Sequence, residues 1–328
     1  GQEKMIEKYY DGAIEQVAAG LGTVEKNYLL VRYSGQFSVE NLNDTKQLEK
    51  NEDIFVQVHE FETGEITCAY EPYLTMICDG FRRYMTGTFE EFMETCDVYY
   101  LHRPVLLGYF NQDNTGREEI ILLDEVAYEQ ERMLAALERM LCAIADRHPV
   151  LFVLNRFQLA SKSTMQLTAR FLKCENCNIG LVLGVSDIQA MPEFLVPDWE
   201  MLYETLDDGS KIYHIGNSGR KKEETIDDEK YVDYGSEKVY RKLQNMVEFL
   251  DFDQAAYYLE TIERKIKFDN LLVDDAARFR MWLLFVKVSI LRQDIPKALE
   301  ICEDLEKIHL AGKEEECAYA VSYTHLRA

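Results

Sequence analysis

The chain lacks any apolar run long enough to cross a membrane. A span takes roughly 20 such residues, and the longest candidate, Met281 to Leu291, is interrupted by Lys287. No secretory leader opens it, because Gln2, Glu3 and Lys4 lead into a charged amphipathic helix; the chain is read as cytoplasmic. Basic clusters are equally scarce. The net charge is −23, and the one basic knot, Arg220-Lys221-Lys222, runs straight into Glu223 and Glu224. Phosphate contact needs clustered Lys and Arg, so nucleic acid and anionic membranes are excluded as partners. Cysteines number eight, yet six of them (Cys68, Cys78, Cys96, Cys142, Cys302, Cys317) have no near partner in sequence. In a reducing compartment most of these are small core residues. Cys174 and Cys177 form the single Cys-x-x-Cys. A zinc site needs a second pair of ligands, and His148 and His214 lack the spacing, so a surface turn and no metal are expected there.

What is present is ordinary globular material: 328 residues, 47% hydrophobic and 29% charged, enough for two domains. Met5, Tyr9, Ala13 and Val17 recur at helical spacing and predict an amphipathic opening helix, stopped at Gly20-Leu-Gly22. Short β-prone or continuous apolar runs follow at Asn27 to Tyr33, Asp53 to Glu60, Pro149 to Leu154, Asn178 to Val185 and Lys211 to Ile215. Helical patterns over 71–84, 88–101 and 126–147 separate them, and Pro104 to Tyr109 is read as an extra strand inside a long insert. The alternation predicts a three-layer α/β domain with a mostly parallel five-stranded sheet.

The segments after two of these strands carry the functional argument. In a nucleoside-triphosphate hydrolase the first strand leads into a Gly-rich loop ending in Lys-Ser/Thr, whose amides cradle phosphates. Here it leads into Ser34-Gly35-Gln36-Phe37-Ser38-Val39-Glu40-Asn41, with one glycine, no Lys-Ser/Thr pair, and bulky and acidic residues instead. After the strand ending at Leu154, one or two carboxylates would hold Mg²⁺ and orient the attacking water; Asn155 and Arg156 stand there. The surrounding frame, Phe157, Gln158, Leu159, Ala160, Ser161, Thr164 and Met165, resembles the Walker B region of STAND-type signalling ATPases within the wider AAA-related group. Glu71-Pro72-Tyr73-Leu74 resembles that family's Pro-Tyr helix. The frame is kept without its acids, so the resemblance implies a P-loop-like pseudo-ATPase in which Ser34, Gly35, Gln36, Ser38, Asn155, Arg156 and Ser186 are vestigial. No cofactor and no catalytic residue are expected; the alternative is a nucleotide-binding STAND-type switch that takes ATP and Mg²⁺ through a divergent site. Other constellations are weaker: Gly184-Val-Ser186 does not complete a Gly-x-Ser-x-Gly elbow, and His59, His102 and His148 merely end apolar segments.

Beyond a polar, charged stretch over 217–235, read as a linker, the period is helical throughout. Asp251-Phe-Asp-Gln-Ala-Ala matches Asp294-Ile-Pro-Lys-Ala-Leu, 43 residues on, and the helices over 238–250 and 274–293 pair in the same way. Such spacing resembles degenerate tetratricopeptide repeats, whose usual work is protein recognition. Residues 1–216 are thus expected to form the α/β domain and 236–320 the repeats, which recognise a protein partner. The last eight residues, 321–328, read as a non-native tail, and two hairpins are fewer than repeats usually need; the natural protein is expected to continue. Similar bacterial signalling chains carry further repeats and an output domain, in some a diguanylate cyclase.

Overall fold

The computed structural model describes residues 1–23, 27–35, 37–42, 49–113, 121–176, 178–186, 191–206, 212–215 and 232–308. The expected linker, the tail, Gln36 and Cys177 lie wholly or mostly outside these residues. The chain divides into two compact units, residues 1–115 with 132–230, and residues 116–131 with 231–328.

The first unit is α/β. Its strands are β1 (Tyr28–Tyr33), β2 (Phe55–Glu60), β3 (Val150–Asn155) and β4 (Ile179–Ser186), ordered β2-β3-β4-β1 and parallel at every pairing. The short β5 (Ile212–Ile215) lies parallel against the outer edge of β1. All six residues of β3 and all eight of β4 are buried, the pattern of strands covered on both faces.

One face is covered by α1 (Gln2–Gly20), which packs Ile6, Tyr10, Ala13, Ile14 and Val17 against Leu29, Val31, Leu151, Val153 and Val182. The expected stripe was half right. Met5 and Tyr9 are 50% and 43% exposed, because the helix turns their neighbours Ile6 and Tyr10 inward. At about 2 kcal/mol for each large apolar side chain buried, Ile6, Tyr10, Ile14 and Val17 contribute on the order of 8 kcal/mol before chain entropy is subtracted. That burial, with no side-chain cap at its N-terminus, is what seats the helix.

The other face carries α2 (Tyr73–Tyr84), α5 (Val126–Arg147) and α6 (Lys162–Lys173). Tyr73 meets Phe152 of β3 edge-on at 4.8 Å and Phe171 of α6 at 5.2 Å. Between α2 and α5 lie α3 (Phe89–Thr95) and α4 (Arg103–Asn111). The strand expected at Pro104 to Tyr109 is therefore a helix. Pro104 stands in its first turn, where proline's missing N–H costs nothing, and a short apolar run does not by itself separate strand from helix. The helix expected over 88–101 ends early, at Thr95. A further helix, α7 (Val196–Leu206), precedes β5.

The second unit holds α8 (Glu237–Glu248), α9 (Phe252–Phe268), α10 (Asp275–Leu291) and α11 (Ile295–Glu306). The α8–α9 and α10–α11 turns are built alike. Leu250 and Gln293 both take positive φ, 64° and 60°. The Asp251 N–H donates to the Met246 carbonyl and the Asp294 N–H to the Ser289 carbonyl, each at 2.8 Å. Each pair of equivalent residues is separated by the 43 positions that the sequence comparison gives.

Candidate functional site

In the sheet order, β1 and β4 are neighbours whose outgoing connections lead to opposite edges, β2 on one side and β5 on the other. An open parallel sheet forms its ligand crevice at such a switch point, beyond the carboxyl ends of the strands. Six of the seven predicted positions belong to described residues, and all six lie at these strand ends.

The chain leaves β1 at Tyr33. The Ser34 N–H donates to the Ile215 carbonyl at 3.3 Å, and its own carbonyl accepts from Gln2 Nε2 at 2.8 Å. Gly35 turns the backbone at φ +107°, a conformation that side chains resist. A short 3₁₀ turn, Val39–Asn41, begins at Ser38. The anion at that turn is the protein's own. Glu60, ending β2, accepts through Oε2 from the Ser38 hydroxyl and from the Val39 N–H, both at 3.0 Å. Its Oε1 lies 3.4 Å from Arg156 Nε. A carboxylate thus sits among a hydroxyl, a backbone amide and a guanidinium, the donor types that phosphate recognition uses.

Asn155, ending β3, is 0% exposed. Its Oδ1 accepts from the Tyr10 hydroxyl at 2.7 Å and from the Tyr33 hydroxyl at 2.8 Å, while Nδ2 donates to the Phe37 carbonyl at 3.1 Å. Both lone pairs of the amide oxygen are engaged. Tyr10 also stacks on Phe37, centroids 5.3 Å apart and planes at 25°, and Tyr33 stands edge-on to both rings. Burial raises the Tyr10 hydroxyl well above the ordinary tyrosine value, with Tyr33 and Glu60 adding to it. Burial also pushes Tyr33 up to about 12, against the lowering effects of Asn155 and Arg156. At neutral pH both phenols keep their protons, and Asn155 Oδ1 receives both.

Arg156 takes positive φ, 53°, and opens the 3₁₀ turn Phe157–Leu159. Ser186 donates from its hydroxyl to the Gly35 carbonyl at 3.0 Å, and its N–H donates to Gln158 Oε1 at 3.2 Å. Ser161, in the position the family resemblance assigns to an acid, caps α6 by accepting from the Thr164 N–H at 3.3 Å.

Three contributors were missed. Tyr10 reaches the site from a helix that precedes the first strand. Glu60 reads only as the last residue of a strand. Gly184 makes the room: a Cβ built there would lie 1.4 Å from the Tyr10 hydroxyl and 2.4 Å from Asn155 Oδ1. The one sequence signal was a glycine inside a strand, which marks close approach by another group. Among the described residues, no group of three or more His, Cys, Asp and Glu side chains is placed to hold a metal, and no helix is long and apolar enough to cross a membrane. Away from the site, a cleft along the outer edge of β2 is walled by Glu49, Glu52, Val56, Val58, Asp79 and Arg83.

Comparison with known proteins adds nothing to this geometry: no family model matches the chain, and no curated protein matches it.

Proposed function

We propose that this chain is the non-catalytic, regulatory part of a cytoplasmic bacterial signalling protein. Its α/β unit is a P-loop-like pseudo-ATPase of STAND type with a five-stranded sheet, and its helical unit a tetratricopeptide-like repeat that binds a protein partner. The observation that carries this reading is the engagement of Asn155. At the position where a hydrolase holds Mg²⁺ through a carboxylate, an amide oxygen receives two tyrosine hydroxyls, and Glu60 takes the donors that a phosphate would use. A triphosphate would have to displace a half-buried carboxylate and a buried ring together, and it would meet Glu60 as a like charge. The repeated α8–α9 and α10–α11 turns support the second half, because stacked hairpins of this spacing offer a surface to a peptide or a partner helix.

Calorimetric titration of the full chain with Mg-ATP tests the first half. No heat of binding is expected at micromolar nucleotide. Saturable binding there would favour a nucleotide-binding switch, which the survival of the Ser38, Val39 and Arg156 donors also supports. In that case Glu60→Ala would tighten binding, because it removes the competing carboxylate.

A further inference from the structure

We propose that Cys142 and Cys174 form an oxidisable dithiol site, at which a two-electron oxidant such as a peroxide makes a disulfide that staples α5 to α6. The inference is independent of the nucleotide question. Three successive turns of α5 each hold the end of α6 or the segment after it. Arg170 Nε donates to Glu138 Oε2 at 2.5 Å. One turn on along both helices stand Cys142 and Cys174, near enough for the Cys174 thiol to act on the ionisation of Cys142, with Cys174 Sγ also 3.2 Å from the Phe171 carbonyl. One turn further, Asn176 Nδ2 donates to Asp146 Oδ1 at 3.0 Å and reaches back to the Cys142 carbonyl at 3.4 Å. A polar contact on either side thus brackets the two cysteines. A disulfide requires such proximity, since its geometry tolerates little backbone movement. Both residues are half-buried, within reach of a small oxidant. The sequence singled out Cys174 for its Cys-x-x-Cys spacing with Cys177; the fold gives it a different neighbour.

The neighbouring Cys174 thiol, with burial, holds the Cys142 thiol above the ordinary range, and in the proposed sequence Cys142 serves as the resolving sulfur. As a thiolate, Cys174 attacks one oxygen of hydrogen peroxide. The O–O bond breaks, water leaves after taking up the proton, and Cys174 becomes a sulfenic acid. The Cys142 sulfur then attacks the Cys174 sulfur. The S–S bond forms, the S–O bond breaks, and the hydroxide leaves as a second water with the Cys142 proton. Two thiols and one peroxide thus give one disulfide and two waters.

The test uses the full chain. It is treated with stoichiometric hydrogen peroxide, its remaining thiols are alkylated, and its peptides are mapped by mass spectrometry. The expected product is a Cys142–Cys174 peptide pair lighter by two hydrogens and reversed by dithiothreitol, with Tm several degrees above that of the reduced chain. Cys177→Ser keeps the pair. Cys142→Ala removes it and leaves a Cys174 sulfenic acid that dimedone traps. A disulfide joining Cys174 to Cys177, or full recovery of all eight thiols after excess peroxide, would overturn the assignment.

Discussion

The strand ends of the α/β unit and the turns of the helical unit keep their shapes by opposite means. At the strand ends the order comes from side chains drawn from far apart: Tyr10 and Asn155 are 145 positions apart, and Ser186 and Gly35 are 151 apart. In the turns the order is local and lies in the backbone. Leu250 and Gln293 share no chemistry, yet both sit at φ near +60° and are followed by the same N–H to carbonyl bond. A backbone turn tolerates almost any side chain that can enter the left-handed region. A side-chain cluster can instead change its partners while the sheet beneath it stays in place.

The largest effect should come from Gly184→Ala. Its Cβ has no room beside the Tyr10 hydroxyl, and overpacking of this kind costs about 3 kcal/mol, read from denaturant unfolding. Adding Tyr10→Phe should recover part of that loss, because the nearest atom is then gone. Equal losses with and without the hydroxyl would separate Gly184 from Tyr10 and break the long-range account.

High pH probes the same cluster. The folded-state pKa of Tyr33 is raised to about 12 by burial, so its contribution to stability is fully present below the ordinary tyrosine value of about 10 and is lost as pH rises through about 12. Alkaline unfolding, followed by circular dichroism, should fall in that window and coincide with tyrosine ionisation in the ultraviolet. In Tyr33→Phe this alkaline limb should flatten; an unchanged limb would assign it to other groups.

The smallest effect tests the local side. Asp294 caps α11 by accepting from the Lys297 N–H at 3.2 Å. Asp294→Ala should cost about 1 kcal/mol while the Asp294 to Ser289 main-chain bond persists, as amide hydrogen exchange would report. Loss of protection at that amide would show that the turn depends on its side chain after all.

Much of the α/β unit was legible. Five of the six runs read as strands overlap a strand, most plainly β3 and β4, which are covered on both faces and have to be apolar along their length. The place of Asn155 and Arg156 at a strand end was also legible, since they follow the apolar run directly in sequence. The occupants were not. Tyr10 stands beside an equivalent Tyr9, and one residue of helical phase decides which of them is buried. Glu60 carries no mark of its partner until β2 is placed beside β3. The segment from Pro104 to Tyr109 failed for a different reason: six apolar residues satisfy either period, and only the proline favoured the helix that forms.

The insertion of Tyr10 beside Gly184 also bears on how this protein is made. A ribosome delivers α1 before the strands it covers, and the surface that receives its apolar stripe is incomplete until β3 and β4 have been synthesised. A helix made ahead of its sheet is therefore seated only after that sheet is largely formed. Until then Ile6, Tyr10, Ile14 and Val17 have no sheet to cover them, and such transiently exposed apolar surface is what chaperones shield.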